Sequence, residues 1–175
     1  MFNIIFESDN LYFREITRND FHSLAKILKD EEIMYAWEHG FSDDEVKDWI
    51  DKNIMRYSRD GFSYYIAIEK KSENIVGMIG PLIEEIEDKK LVGVAWILDK
   101  GHWGKGYAVE GGRASIKQAF DTTNTNSVIA QIRPNNIASI RIAEKLGMIS
   151  VDSYVKIYNG KEMEHIIYEI KRENF

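Results

Sequence analysis

The tightest constraint on this chain is a joint between two kinds of periodicity. Leu91–Leu98 (LVGVAWIL) is apolar on both faces. Such a run reads as a buried central strand. It leads into residues 99–110, DKGHWGKGYAVE, which hold Gly101, Gly104 and Gly106. A helical pattern starts inside that segment and continues to about Phe120. Ala108, Val109, Gly112, Ile116, Ala119 and Phe120 form its buried stripe. A strand that turns through glycines into a helix leaves free backbone N–H groups at the turn, and the helix dipole adds positive potential. An anion such as phosphate or pyrophosphate suits that position.

The remaining chain supplies a frame for this joint. Leu11–Ile16 reads as a first strand. Thr17–Asp20 resembles a capping box before a helix carrying Phe21, Leu24, Ala25, Ile27 and Leu28. Ser42–Glu45 is a fuller capping box. It opens a helix whose buried face is Val46, Trp49, Ile50, Asn53, Ile54 and Tyr57, with Asn53 the polar member. Between these helices lies the non-periodic stretch 33–41, IMYAWEHGF. Residues 62–68 and 74–83 are strand candidates, and Glu84–Lys90 reads as a charged, solvated turn before the central strand. After the joint come a strand at 128–132, a helix at 137–146 capped by Asn136, and strands at about 148–158 and 163–170. Asn159-Gly160 favours a tight hairpin between the last two. The expected order is β-α-α-β-β-β-α-β-α-β-β. That is an α/β (α+β) fold: a mixed, mostly antiparallel sheet of six to seven strands flanked by helices, in one domain over residues 1–175.

Composition narrows the function. Net charge is −6, which argues against nucleic acid as a partner. An acidic surface suits a cationic substrate such as an amine, although solubility alone accounts for it. With no cysteine, disulfides, thiolate metal sites and thiol catalysis are excluded. The four histidines are scattered and show no H-x-x-x-H spacing, so no metal is expected. No apolar run approaches the ~18 residues of a membrane span. The N-terminus MFNIIFESDN has no secretory pattern, so a cytoplasmic location without membrane attachment is expected.

The glycine joint is not a nucleotide P-loop, because Gly106, not Ser or Thr, follows Lys105. Nor is it a Rossmann fingerprint, because Val109 stands where the third glycine belongs. Trp103-Gly-Lys-Gly-Tyr-Ala-Val-Glu110 instead resembles the acyl-CoA pyrophosphate loop of the GCN5-related N-acetyltransferases (GNAT). The branch it resembles includes the ribosomal-protein N-terminal alanine acetyltransferases. A second block, Asn136-Ile-Ala-Ser139 through Glu144-Lys-Leu-Gly147-Met148, resembles that branch's N-x-x-S…E-K-L-G-F. The spacing between the blocks and the element order also match, so the resemblance covers nearly the whole chain.

The resemblance implies acetyl-CoA as donor and a primary amine as acceptor, on a small molecule or a peptide. It assigns the pyrophosphate to the backbone N–H groups of Trp103, Gly104, Lys105, Gly106, Tyr107 and Ala108. It assigns the pantetheine arm to the backbone of Ile97 and Leu98 and to Asn136, which can also simply cap its helix. Three positions depart from the family pattern. Ala143 replaces a common Tyr, Gly93 a common Glu on the central strand, and Gly101 the usual Gln or Arg. Ser139 is then the candidate acid for the leaving thiolate, its plainer role being a bond back to a carbonyl. Glu38 and His39 are candidate bases, because their segment lines the acceptor cleft in the resembling enzymes; His39 also titrates near neutrality if unperturbed. Glu84 and Glu85 are also considered as bases, but read more simply as part of the solvated turn. Tyr35 and Trp37, off any regular pattern, are candidate acceptor contacts. An alternative is a catalytically silent acyl-CoA sensor or scaffold. The oligomeric state is left open, a homodimer being one expectation.

Overall fold

The computed structural model describes residues 3–175; Met1 and Phe2, part of the N-terminal stretch read above, lie outside them. Eight strands form one sheet: β1 (Ile4–Glu7), β2 (Leu11–Arg14), β3 (Tyr65–Glu69), β4 (Ile75–Ile86), β5 (Lys89–Leu98), β6 (Ser127–Ile132), β7 (Ile149–Tyr158) and β8 (Lys161–Lys171). Their order across the sheet is β1-β2-β3-β4-β5-β6-β8-β7. Among the described strands only β5 and β6 run parallel. The mixed, mostly antiparallel sheet is as expected, with one strand beyond the expected six to seven. The extra strand, β1, is a four-residue edge hairpin partner whose pattern is too short to carry a period-2 signal.

Four helices flank the sheet. On one face lie α1 (Phe21–Leu28) and α2 (Asp43–Asp60), packed on Ile66, Ile68, Met78, Leu82 and Ile97. On the other lie α3 (Tyr107–Thr122) and α4 (Ile137–Lys145), packed on Val94, Val128, Ala130 and Tyr168. Each fully buried Leu or Ile in these layers contributes about 1.5–3 kcal/mol. Ser42 caps α2 by accepting the Glu45 N–H at 3.2 Å, while Glu45 accepts the Ser42 N–H at 2.8 Å. Asn53 is fully buried on α2 but satisfied: it donates to the Trp49 carbonyl at 2.8 Å and accepts the Ser63 hydroxyl at 2.6 Å. Among the described residues no helix is long and apolar enough to cross a membrane.

Two details bear on the site. The expected charged turn at 84–90 is mostly strand. β4 runs on to Ile86, and only Glu87 and Asp88 turn, both at positive φ. Pro81 sits inside β4 because β3 begins only at Tyr65, opposite Ile79, which leaves that side of β4 beyond Ile79 without a partner strand.

Candidate active site

β5 and β6 touch at one pair, Gly93 and Ile129, and then diverge. A cleft opens between Val94–Leu98 on one side and Ala130–Arg133 on the other, and it forms part of a cavity of about 930 Å³. The joint at 99–110 closes one end. Gly106 caps α3 in the left-handed conformation (φ +83°) and Gly104 shares it (φ +72°). Among the described residues no side chain caps this helix end, and none fills the space above either glycine. The first-turn N–H groups of α3 therefore face a concave, positively polarised mouth. Loop geometry thus fits a phosphate-bearing ligand, and the size of the cavity leaves room for a second reactant beside it.

The loop is anchored on both sides. The indole of Trp103 donates to the Leu98 carbonyl at 3.2 Å, and the Tyr107 hydroxyl bonds Glu69 of β3. Glu110, one turn into α3, accepts from the Ser8 hydroxyl (2.6 Å), the Asn10 N–H (2.7 Å) and the Asn10 amide (3.0 Å). Burial alone would raise this carboxyl, but those three donors bring it below its ordinary value.

The expected site residues fall into two groups. Trp103, Gly104, Gly106, Tyr107, Ala108, Asn136, Ser139, Tyr35, Trp37, Ile97 and Leu98 all line the cavity. Lys105 is an exposed member of the same loop. Asn136 Oδ1 caps α4 by accepting the Ser139 N–H at 3.1 Å and also accepts the Tyr35 hydroxyl, which joins the 33–41 segment to α4. Ser139 accepts the Trp96 indole N–H at 3.1 Å across the cleft, which leaves its own O–H to donate. The expectation for Ile97 needs correction. Asp99 N–H bonds Val76, so by antiparallel alternation Ile97 also turns its N–H and C=O to β4. The main-chain groups facing the gap are those of Trp96 and Leu98.

Glu38 and His39 form the second group, and neither lines the cavity. Glu38 pairs with Lys161 (3.3 Å) and Arg133 (3.4 Å), which hold its carboxyl below the ordinary range. His39 Nε2 lies 2.9 Å from Glu45 and Nδ1 lies 3.0 Å from the Trp37 carbonyl; these partners raise its pKa. The α2 cap thus consumes the expected base. Ala143 is fully buried in the core beneath α4, whereas Ser139 and Ile142 face the cavity. Its small side chain therefore takes nothing from the cavity wall.

Sequence reasoning considered Glu84 as a base but set it aside as part of a solvated turn. It is half-buried on β4, lines the cavity and accepts the Gln131 amide at 2.5 Å. Burial raises its carboxyl above the ordinary value, against the pull of Lys156, Gln131 and Arg56. The available signal was the glycine at 93 beside a run of strand-forming residues. Among the described residues no three His, Cys, Asp or Glu side chains gather to hold a metal.

The sequence profile of the acetyltransferase (GNAT) domain matches residues 10–149. The uncharacterized protein YkkB of Bacillus subtilis is 28% identical over 168 residues, covering 95% of each chain. Among solved structures, a GNAT-family acetyltransferase from Bacillus anthracis superposes with a TM-score of 0.80 at 22% identity, covering 99% of both chains. The spermidine N-acetyltransferase of Vibrio cholerae, in complex with CoA and spermine, superposes with a TM-score of 0.73 at 18% identity, covering 94% of this chain and 97% of that one. At these identities the structural matches speak to the fold.

Proposed function

The chain belongs to the GNAT acetyltransferase family, and from that premise we propose that it moves an acetyl group from acetyl-CoA directly to a primary amine held in the cleft between β5 and β6. One observation carries this reading. A single cavity joins the open glycine loop at the start of α3 to the splay of the two strands and to the aromatic segment at 35–37. A donor anchored on the loop and an acceptor entering from the α2 side meet at the splay. The CoA and spermine complex of a structural neighbour supports the same pairing of ligands by analogy.

The chain's own groups take the following parts. The N–H groups of residues 103–108 hold the pyrophosphate. The Leu98 N–H, the Trp96 main chain and the Asn136 amide border the pantetheine arm. When bound, acetyl-CoA supplies an activated thioester. Tyr35 and Trp37 wall the acceptor side, where an aromatic face suits an ammonium group. Ser139, its oxygen held by Trp96, donates its hydroxyl proton toward the departing sulfur. Positioning supplies most of the rate, because amine and thioester react once held in contact. The acceptor is a peptide N-terminus or a small-molecule amine.

The test is release of free CoA from acetyl-CoA across a panel of polyamines, aminoglycosides, amino acids and peptides. Turnover with at least one class is expected. Tight acetyl-CoA binding by calorimetry without turnover on any member would refute acetyl transfer and leave a silent acyl-CoA sensor.

A further inference from the structure

Glu84 stands on β4, yet its carboxyl reaches across β5 to β6. Gly93 is the reason. A Cβ at that position would come within 2.6 Å of Glu84 Cγ and 3.6 Å of its Cδ. Because β5 presents no side chain there, Glu84 lies over the strand and accepts the Gln131 amide of β6. The Gln131 amide cannot turn round, because its Oε1 accepts the Tyr154 hydroxyl of β7. The Tyr154 phenol is pushed up to about 12 by burial, with the charges of Glu84 and Glu87 adding to it, so it remains a donor at neutral pH. Gly93 and Ile129 are also the pair at which β5 and β6 part. The carboxyl is thus locked by three strands at the apex of the cleft. The groups that face it are Arg56 of α2, Tyr64 before β3, and Tyr154 and Lys156 of β7, with His165 of β8 against the Tyr154 ring.

We infer that Glu84 takes the ammonium proton of the acceptor, with Gln131 and Tyr154 as its positioning residues, and that Gly93 exists to admit it. This rests on the acetyl-transfer reading above. The bound ammonium gives one proton to the Glu84 carboxylate. The freed nitrogen lone pair forms the N–C bond at the thioester carbonyl, the C–S bond breaks, and its electron pair leaves on sulfur. Ser139 gives its hydroxyl proton to sulfur to make the thiol and takes the second nitrogen proton in exchange, and Glu84 returns its own proton to solvent. Burial makes this carboxylate a stronger base than an exposed one.

Glu84→Gln keeps the shape and an acceptor for Gln131. It is expected to lower kcat by about 10²-fold or more. It should leave acetyl-CoA affinity within about twofold of wild type, and it should remove the acidic limb of the pH–rate profile. Gln131→Met, which deletes the bond favouring the charged carboxylate, should move that limb to higher pH. Glu84→Gly combined with Gly93→Glu returns the carboxylate to the same place from β5 and should recover about a tenth of wild-type kcat or more. Glu84→Gln with wild-type kcat and an unchanged acidic limb, beside an active wild type, overturns this inference alone. So does a loss of acetyl-CoA affinity that matches the loss of turnover. A wild type inactive on every amine overturns the acetyl-transfer reading first and this one with it.

Discussion

Glu110 closes the loop motif, and the structure gives it a mechanical part that can be measured. Its carboxylate gathers three donors from the β1–β2 turn, at 2.6, 2.7 and 3.0 Å, and so ties the N-terminal hairpin to the first turn of α3. Glu110→Ala removes all three bonds. Hydrogen bonds to a charged group contribute about 1.5–3 kcal/mol each when buried. Ser8 and Asn10 are partly open to water and can be rehydrated, so a net loss of about 2 kcal/mol is the reasonable sum. For a chain of this size that is a fall in Tm of about 4–8 °C. Urea unfolding at pH 7 should show the loss as a lower midpoint with an unchanged slope. Acetyl-CoA affinity well below Tm should change little, because the carboxylate points away from the loop's open face. A Ser8→Ala change should cost about 0.5–1 kcal/mol in wild type and almost nothing in Glu110→Ala. The folded-state carboxyl sits below its ordinary value, so its contribution is complete above the unfolded pKa of ~4.3 and fades as pH falls through the folded value. A Glu110→Ala protein with wild-type urea midpoint, or additive losses in the double variant, would refute the latch.

Other perturbations test the frame and the loop. Gly106→Ala puts a Cβ on a left-handed residue, at about 1–2 kcal/mol, and covers the mouth of α3; calorimetry should show acetyl-CoA binding weakened about tenfold or more. Asn53→Leu leaves the buried Ser63 hydroxyl without its acceptor, while the Trp49 carbonyl keeps its bond within α2, and should cost about 1–3 kcal/mol in urea melts. Asp20 is held below the ordinary carboxyl value: burial acts to raise it, but bonds from Arg14 (2.7 Å) and Thr17 prevail. Its stabilisation is present above the unfolded pKa of ~3.9 and lost as pH drops through the folded one. Asp20→Asn should therefore be less stable at pH 7 and show a shallower stability decline between about pH 5 and 2.

The legible parts of the fold were those with local causes. Ser42 and Glu45 announce α2, and Asn159-Gly160, both at positive φ, announce the last hairpin. The stripe from Ala108 to Phe120 gives α3 its buried face. Misreadings began where local preference and burial disagree. Glu84 and Glu85 have low strand propensity, yet pairing with Leu91 and Lys90 keeps them in β4. His39 has an ordinary imidazole's promise as a base, but Glu45, six residues on, holds it to a helix cap.

By itself the sequence determined the glycine joint between β5 and α3. Strand, glycines and helix are neighbours along the chain, and their backbone geometry follows from residue type alone. Only the tertiary structure decided which side chains meet at the cleft. Gln131 lies 47 residues from Glu84, and Ser8 lies 102 from Glu110. Those meetings depend on the order of strands across the sheet and on the empty space above one glycine. No local propensity encodes either, because each is the outcome of packing the whole chain around a single sheet.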